Sequence, residues 1–315
     1  MRIVSLIASS TETVCALGFE HALVGRSHEC DFPVSVKKLP KCSEPKFEPD
    51  GTSYEIDQRV KAILQEGLSI YRVHGELLRD LQPDVIVTQI QCEVCAVSRE
   101  DVIQAVREWM QMTPPGAPKP NPNVVSLNPN CLEDIWTDTR NIALALGAPK
   151  KGEALIASLK SRMQAVVDSV TPLRERLGRA PRVACIEWID PLMAAGNWVP
   201  ELLEMLGAEN LFGEAGKHSP WMNWDQLLAK DPEVIIVLPC GFDIPKTQQE
   251  MRKLTSNPQW SQLRAVQEGK VFLADGNQYF NRPGPRVAES LEIFAEILYG
   301  VGLKHRGTGW IPHTT

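Results

Sequence analysis

The strongest constraint on the fold of this chain is a short segment that occurs twice, far apart in the sequence. Residues 17–25 read LGFEHALVG and residues 206–213 read LGAENLFG. Each copy is followed further along by an acidic residue and a β-branched run, at 84–87 and at 233–237. A chain of 315 residues also exceeds the size at which one core keeps growing. The repeat therefore predicts two similar lobes, and the cleft between such lobes is the usual place for a ligand.

Short β-branched runs alternate with helical patterns in both halves of the chain. The runs are residues 3–6, 85–88, 124–127, 183–187, 234–238 and 271–274. Helical patterns follow most of them, and those at 11–17 and 198–206 stop at Gly18 and Gly207. Strands that alternate with helices predict parallel α/β sheets.

The middle of the chain departs from this alternation. Apolar residues recur at helical spacing from 151 to 171, and Pro172 is predicted to bend or end that helix. Some 20 to 25 helical residues span roughly 30–38 Å, enough to run from one lobe to the other. The two copies of the repeat lie about 40 residues further apart along the chain than the two β-branched runs that follow them. This difference predicts an insertion in the first half. The predicted division is an N-terminal lobe at 1–130 with an insertion at about 43–80, a linking helical segment at 131–180, and a C-terminal lobe at 181–315.

Composition and charge exclude several classes of protein. The net charge of −6 argues against a nucleic-acid partner, which needs clustered Lys and Arg. No run approaches a membrane span, and the apolar run at residues 3–7 is too short for a signal peptide. The eight cysteines lack the spacing of a disulfide scaffold, so reduced thiols are the simpler interpretation. These points predict a cytoplasmic protein without direct membrane insertion, the alternative being a periplasmic protein whose leader is missing from this sequence.

The loops expected after the strands of the second half are rich in aromatic and polar residues. Five of the eight tryptophans lie between residues 188 and 260, and core packing is the competing interpretation for any one of them. Open α/β sheets bind ligands at the carboxyl ends of their strands, and large flat ligands are held by aromatic walls with a few polar groups. The predicted ligand-binding residues are Trp188, Trp198, Trp221, Phe242 and Tyr279 for stacking, with His28, Cys240, Asp243, Asp275 and Arg282 as polar partners.

Cysteines provide a second set of candidate residues. Cys92-x-x-Cys95 has the setting of a redox motif and also the spacing of half a zinc site. His28, Cys30 and Cys240 complete a soft-metal set only if the lobes bring them together. Ordinary reduced thiols are the alternative.

The sequence gives less support for an anion-binding site and for the common catalytic motifs. Ser10 and Thr11 predict a helix cap, with an anion at the exposed helix start as the second interpretation. The glycine-lysine stretch at 213–218 lacks the loop length and the Ser/Thr of a phosphate-binding loop. Because HExxH, GxGxxG and GxSxG are absent, a hydrolase or a dehydrogenase has no catalytic residues to use.

Several motifs together resemble a known family. They are residues 3–12 (IVSLIASSTE), 81–87 (LQPDVIV), Gly196-x-Trp198, Ser219-Pro220-Trp221 and 231–236 (DPEVII), along with the single long helix. The chain resembles the cobalamin-binding proteins of bacterial corrinoid uptake, within the helix-linked substrate-binding proteins that also take iron siderophores and haem. The resemblance covers nearly the whole chain. It implies two doubly wound, Rossmann-like α/β lobes joined by one long helix, with the ligand in the cleft between them and small domain motions.

The resemblance also implies roles for individual residues. Trp221 corresponds to a cleft tryptophan that packs on the corrin, and Trp198 lies in the segment of another cleft wall. Asp225 falls where the family has a surface carboxylate that docks on an arginine pocket of the membrane transporter. Glu93 or Glu100 is the matching carboxylate of the first half.

These observations predict a non-enzymatic binding protein for a cobalamin-like corrinoid or a related tetrapyrrole, without a catalytic cofactor. Its role is that of a cytosolic carrier, buffer or sensor, or of a receptor for a membrane transporter if a leader was removed. The rival hypothesis is a redox protein or enzyme that uses Cys92 and Cys95 with a bound metal or small substrate.

Overall fold

The computed structural model describes residues 1–66, 69–90, 99–114, 116 and 119–314. These residues form two compact units. The N-terminal unit contains Met1–Gly51, Gln58–Pro129 and Glu133–Ala157, and the C-terminal unit contains Thr52–Asp57, Asn130–Leu132 and Ser158–Thr315. Each unit has its own sheet and its own hydrophobic core, so the predicted two-lobed α/β fold is confirmed. The predicted boundaries at 130 and 180 stay a prediction.

A four-stranded parallel sheet is the centre of the N-terminal unit. The strands up to residue 127 are β1 (Ile3–Ser5), β2 (Leu23–Arg26), β3 (Ser43–Pro45), β4 (Tyr71–Val73), β5 (Val85–Gln89) and β6 (Asn123–Leu127). The sheet order is β2-β1-β5-β6, and β3 pairs with β4 in a separate antiparallel ribbon. The helices up to residue 145 are α1 (Ala8–Ala16), α2 (Ser53–Gln65), α3 (Gly75–Leu81), α4 (Arg99–Met112) and α5 (Leu132–Ala145). Every residue of β1 and β5 is buried, as expected of central parallel strands.

The C-terminal unit repeats this arrangement and extends it. Its strands are β7 (Arg182–Trp188), β8 (Met193–Ala194), β9 (Glu209–Asn210), β10 (Val234–Val237), β11 (Val271–Ala274) and β12 (Trp310–Pro312). The parallel order β9-β7-β10-β11 matches that of the N-terminal sheet, and β8 and β12 add antiparallel pairs. The remaining helices are α6 (Pro149–Leu177), α7 (Val199–Met205), α8 (Trp224–Lys230), α9 (Ile244–Thr255), α10 (Arg264–Gln267) and α11 (Val287–Tyr299).

The sequence repeat corresponds to one structural motif in both units. Gly18 follows α1 with φ +83° and Gly207 follows α7 with φ +70°, the left-handed conformation that ends a helix without a Cβ penalty. The next residues form β2 and β9, which pair in parallel with the first strand of their unit. The second pair of markers also matches, because Gln82 and Asp231 both adopt a positive φ before their Pro-acidic-Val strands. The repeat thus correctly predicted two similar lobes.

The long helix is confirmed, but the predicted effect of its proline was partly wrong. α6 continues through Pro172 to Leu177 and has residues in both units. A proline removes one backbone hydrogen bond. Just before it, the Thr171 hydroxyl donates to the Val167 carbonyl at 2.9 Å, and Val170 is fully buried. Packing of the helix outweighs the single missing bond.

The inserted segment contains structure that the sequence did not predict. It forms two helices, α2 and α3, and the β3–β4 ribbon between residues 43 and 73. Ser53, the first residue of α2, belongs with the C-terminal unit. Its backbone N–H and its hydroxyl both donate to the buried Glu250 carboxylate of α9, at 2.8 and 2.9 Å.

None of the helices within the described ranges combines the length and hydrophobicity that a membrane span needs.

Candidate ligand site

Two neighbouring strands of the C-terminal unit end in aromatic residues that contact each other. β7 ends at Trp188, and Phe242 lies in the loop after β10. Because β7 and β10 are adjacent and parallel, their carboxyl ends meet, and the two ring centroids lie 5.2 Å apart. Cys240 is half-buried in the same loop, and its backbone N–H donates to the Glu187 carbonyl at 3.1 Å. Trp188, Phe242 and Cys240 are therefore brought together as predicted from their strand positions.

Trp221 and Trp198 occupy different environments. Trp221 pairs with Met193 beside the end of β7, and 56% of its surface is exposed. Trp198 is only 4% exposed, and its indole N–H donates to the Phe280 carbonyl at 3.2 Å. Trp221 is thus exposed at the surface, whereas Trp198 supports the neighbouring loop from within the unit.

The hydroxyl of Ser219 links the Trp221 segment to the end of β7. It donates to the Glu187 carboxylate at 2.8 Å and accepts from the Gly196 N–H at 3.1 Å. Gly196 is required here because a Cβ would lie 2.7 Å from the Ser219 backbone nitrogen. The Gly196-x-Trp198 and Ser219-Pro220-Trp221 motifs thus contact each other through the hydrogen bond from Gly196 to Ser219.

The loop after β11 begins with a short π-helical turn, Gly276–Phe280. Asp275 accepts a hydrogen bond from the Gln278 N–H at 2.7 Å, and burial raises the pKa of its carboxyl above the ordinary value. The Asn277 N–H donates to the Phe242 carbonyl at 3.1 Å, which ties this loop to the loop after β10. Arg282 is buried and donates to the Asn277 side chain at 3.2 Å. Single π-turns are frequent at functional sites.

Asp243 has a structural role in addition to the predicted polar one. Its carboxylate accepts from the Lys246 N–H at 2.8 Å and so caps the N-terminus of α9. The residue is nevertheless exposed, so one side of its carboxylate faces outward beside Phe242.

In the N-terminal unit, His28 lies just beyond β2 with its ring 5.3 Å from that of the buried Tyr71. Its Nδ1 is 3.1 Å from the Ser43 hydroxyl of β3. Burial, reinforced by Lys41 and Arg26, lowers the pKa of His28 to about 4. The imidazole is therefore neutral at neutral pH and can act as a donor or an acceptor.

The hydroxyls at the start of α1 do not cap the helix, so that prediction was wrong. The N-cap is Ile7, and the Ser10 hydroxyl donates to the Ile7 carbonyl at 3.0 Å. The Thr11 hydroxyl lies 3.0 Å from the Cys30 sulfur and donates to the Ser5 hydroxyl at 2.7 Å. Ser10 and Thr11 lie inside α1, past its N-cap, so their hydroxyls are not at the position from which a side chain caps a helix.

The predicted soft-metal set stays a prediction, because its Cys92 and Cys95 lie outside the described residues. Within the described ranges, no group of three or more His, Cys, Asp or Glu residues has a geometry that could hold a metal ion. Burial raises the pKa of the Cys30 thiol, which disfavours the thiolate that soft metals need. Cys92, Cys95 and Glu93 lie outside the described residues.

The two described docking candidates are both exposed acids in the first turn of a helix. Asp225 lies at the start of α8 and accepts from the Gln259 amide at 2.8 Å. Glu100 lies at the start of α4. Their role with a transporter stays a prediction.

Sequence reasoning missed the residues that hold the site together. Arg26 is buried and donates to the carbonyls of Ser27 and Cys30, which fixes the loop that carries His28. Arg286 and His305 contact Tyr279 from two sides. No local motif marks these residues: the contact of His305 with Tyr279 joins residues 26 apart in sequence, and a buried arginine such as Arg26 cannot be told from an exposed one by sequence alone.

Comparison with known proteins identifies the family. The sequence matches the family described as periplasmic binding protein over residues 3–277. The chain belongs to this family. It is 22% identical over 303 residues to an uncharacterized ABC transporter substrate-binding lipoprotein of Bacillus subtilis (strain 168), covering 95% of this chain and 80% of that protein. It is 21% identical over 238 residues to the vitamin B12-binding protein of Vibrio campbellii (strain ATCC BAA-1116), covering 74% and 69%. A crystal structure of a periplasmic heme binding protein from Pseudomonas aeruginosa matches with a TM-score of 0.68 at 20% identity, covering 95% of this chain and 93% of that one.

As a periplasmic binding protein, the chain has a substrate-binding role in a family of binding proteins rather than enzymes. The predicted cytoplasmic location is not supported, because the family and its relatives favour the periplasmic alternative. The cysteine argument failed because it took free thiols as a sign of a reducing compartment. Burial raises the pKa of both Cys15 and Cys42 to about 12, so these thiols stay protonated in any compartment.

Proposed function

We propose that this chain is the substrate-binding protein of an ABC transporter for a tetrapyrrole, with a cobalamin-like corrinoid as the preferred ligand. The observation that carries the proposal is the aromatic cluster at the strand ends of the C-terminal unit. Trp188 and Phe242 are in ring contact, and Trp221 is exposed beside the same strand end. Aromatic surfaces of this kind bind large flat ligands by stacking. Relatives that bind vitamin B12 and heme support the ligand class.

The polar residues of the cluster favour a corrinoid over haem. Asp243 is exposed. Asp275 lies in the neighbouring loop, which the hydrogen bond from the Asn277 N–H to the Phe242 carbonyl links to the loop of Asp243. A corrinoid carries primary amides, which donate hydrogen bonds to carboxylates. Haem carries carboxylates, which the carboxylates of Asp243 and Asp275 repel. In this proposal Cys240, Tyr279 and Arg282 of the same unit supply further contacts.

The test is a titration of the purified protein with cyanocobalamin and, separately, with haemin, followed by intrinsic tryptophan fluorescence. Saturable quenching by cyanocobalamin at lower concentration than by haemin supports the proposal, since the corrin would lie against several indoles. Tighter binding of haemin would overturn the preference, and the absence of saturation with either up to millimolar concentration would overturn the ligand class.

Asp243→Asn is expected to shift ligand preference without loss of stability. Asparagine is as good an N-cap as aspartate, so α9 keeps its cap. Removal of the charge should weaken cyanocobalamin binding by about 0.5–1.5 kcal/mol and strengthen haemin binding. The measurement is the ratio of the two dissociation constants. An exposed carboxylate elsewhere in the unit, Asp168, provides the control variant Asp168→Asn, which should leave the ratio unchanged.

We infer that the protein acts where its family does, outside the cytoplasm, with its buried thiols inert. In the folded protein, a thiol reagent at neutral pH should label Cys131 and Cys240, which are half-buried, before Cys30, Cys42 or Cys185. The labelled positions are read by peptide mass spectrometry, and unfolding in denaturant should expose the remainder. Labelling of the buried cysteines at the rate of Cys240 in the folded state would contradict this inference.

A further inference from the structure

The C-terminal tail, residues 300–314, follows α11 and lies beyond the region that matches the family, which ends at residue 277. Its last strand, β12, pairs antiparallel with β11. The Asp275 N–H, at the start of the candidate ligand loop, donates to the Gly309 carbonyl at 2.9 Å. The tail is therefore in direct contact with the loop that carries Asp275 and Tyr279.

Glu296 of α11 anchors this tail. Its carboxylate is 4% exposed and accepts from the backbone N–H of Lys304 at 2.6 Å and of His305 at 3.1 Å. It also accepts from the indole N–H of Trp310 at 2.7 Å. Charge-assisted hydrogen bonds to a buried carboxylate hold a segment firmly, so the backbone of His305 is fixed.

The side chain of His305 connects α11 to Tyr279. Its Nε2 is 2.8 Å from the Glu292 carboxylate, and its ring lies edge-on to that of Tyr279 at a centroid distance of 5.9 Å. Arg162 of α6 holds the same carboxylate through two bonds of 2.8 and 2.9 Å. Burial acts to raise the pKa of Glu292, but the bonds from His305 and Arg162 outweigh it and lower the pKa to about 2.

Arg286 completes a closed ring of contacts around Tyr279. Its guanidinium lies over the tyrosine ring at 4.5 Å from the centroid. Its Nε is 3.3 Å from the Glu289 carboxylate, whose other oxygen is 3.7 Å from Arg162. The Arg286 guanidinium thus packs on one face of the Tyr279 ring. The His305 ring packs against Tyr279 in the edge-to-face arrangement that aromatic pairs prefer.

We propose that His305 is a positioning residue of the ligand site, which holds the Tyr279 ring in the orientation that meets the ligand. The expected effect of His305 on ligand affinity rests on the proposed function. Its expected effect on the order of the Gly276–Phe280 loop does not. The tail beyond the matched family region then becomes part of the binding site.

The test combines hydrogen exchange without ligand and cyanocobalamin titration. His305→Ala should raise the exchange rate of the Gly276–Phe280 amides and weaken binding about 3- to 10-fold, the range for one lost aromatic contact. His305→Phe keeps the edge-to-face ring and should restore both values to within about twofold of the parent. His305→Gln keeps a hydrogen bond to Glu292 without the ring and should behave like His305→Ala. The exposed His21 of the N-terminal unit supplies the control His21→Ala.

Each outcome distinguishes the two proposals. Restoration by His305→Gln but not by His305→Phe would overturn the role of the ring contact. Unchanged exchange in a folded His305→Ala protein would overturn the positioning role altogether. If the parent protein binds neither cyanocobalamin nor haemin, the proposed function fails, and the exchange comparison still decides the inference about His305.

Discussion

Trp221→Ala is expected to weaken cyanocobalamin binding by about 1–3 kcal/mol, the range for loss of an aromatic contact that becomes buried in a complex. The ring is 56% exposed in the free protein, so its removal leaves no internal cavity. The melting temperature should therefore stay within a degree or two of the parent, since exposed substitutions change stability by only about 0.5 kcal/mol. Tryptophan quenching or calorimetry measures the affinity, and thermal unfolding measures the stability.

Two variants show whether the effect belongs to stacking at this position. Trp221→Phe keeps an aromatic face and should recover part of the affinity. Leu177→Ala removes a comparably exposed apolar side chain at the end of α6 and should have no effect on binding. Unchanged affinity in Trp221→Ala would remove the indole from the proposed site.

Asp138→Asn is expected to stabilise the protein at high pH and not at low pH. Asp138 of α5 is 7% exposed, and burial, with a contribution from Asp134, raises the pKa of its carboxyl from 3.8 to about 7. Between these two values the folded state holds a proton that the unfolded state has lost. The free energy of unfolding therefore falls as the pH rises through this window and levels off above it. The variant lacks this loss, so its advantage should grow by about 2–4 kcal/mol between pH 4 and pH 8.

Urea unfolding at pH 4 and pH 8 measures this difference. The amide of the variant keeps an acceptor for the Asn128 N–H, which lies 3.2 Å from the Asp138 carboxylate. Asp80→Asn, at an exposed position of α3, should change stability equally at both pH values. An equal effect of Asp138→Asn at the two pH values would show that the carboxyl is already ionised in the folded protein.

The core strands and the helix ends were predictable because their signals are local. The apolar runs at 85–88 and 271–274 became β5 and β11, and glycines marked the ends of α1 and α7. The short strands β3, β8 and β12 were not predictable. Each has two or three residues and forms because a partner strand is already present, which no window of sequence reveals.

The candidate site was predictable in part. Residues at the end of a strand or directly after it, such as Trp188 and Asp275, were assigned to the strand ends correctly, because the strand itself places them. Whether an aromatic residue is exposed or buried was not predictable. Trp198 and Trp221 lie in similar loop-like sequence, yet one is 4% exposed and the other 56%.

The sequence by itself determined that the chain has two α/β units, that a long helix follows the first, and that aromatic loops end the strands of the second. These features follow from hydrophobic periodicity and from glycine and proline positions, which act within a few residues. Only the tertiary structure decided that Thr11 faces Cys30, that Asp138 is buried, and that His305 packs on Tyr279. Such pairs are distant in sequence, and their burial, charge and exposure depend on packing that forms only when the whole unit has folded.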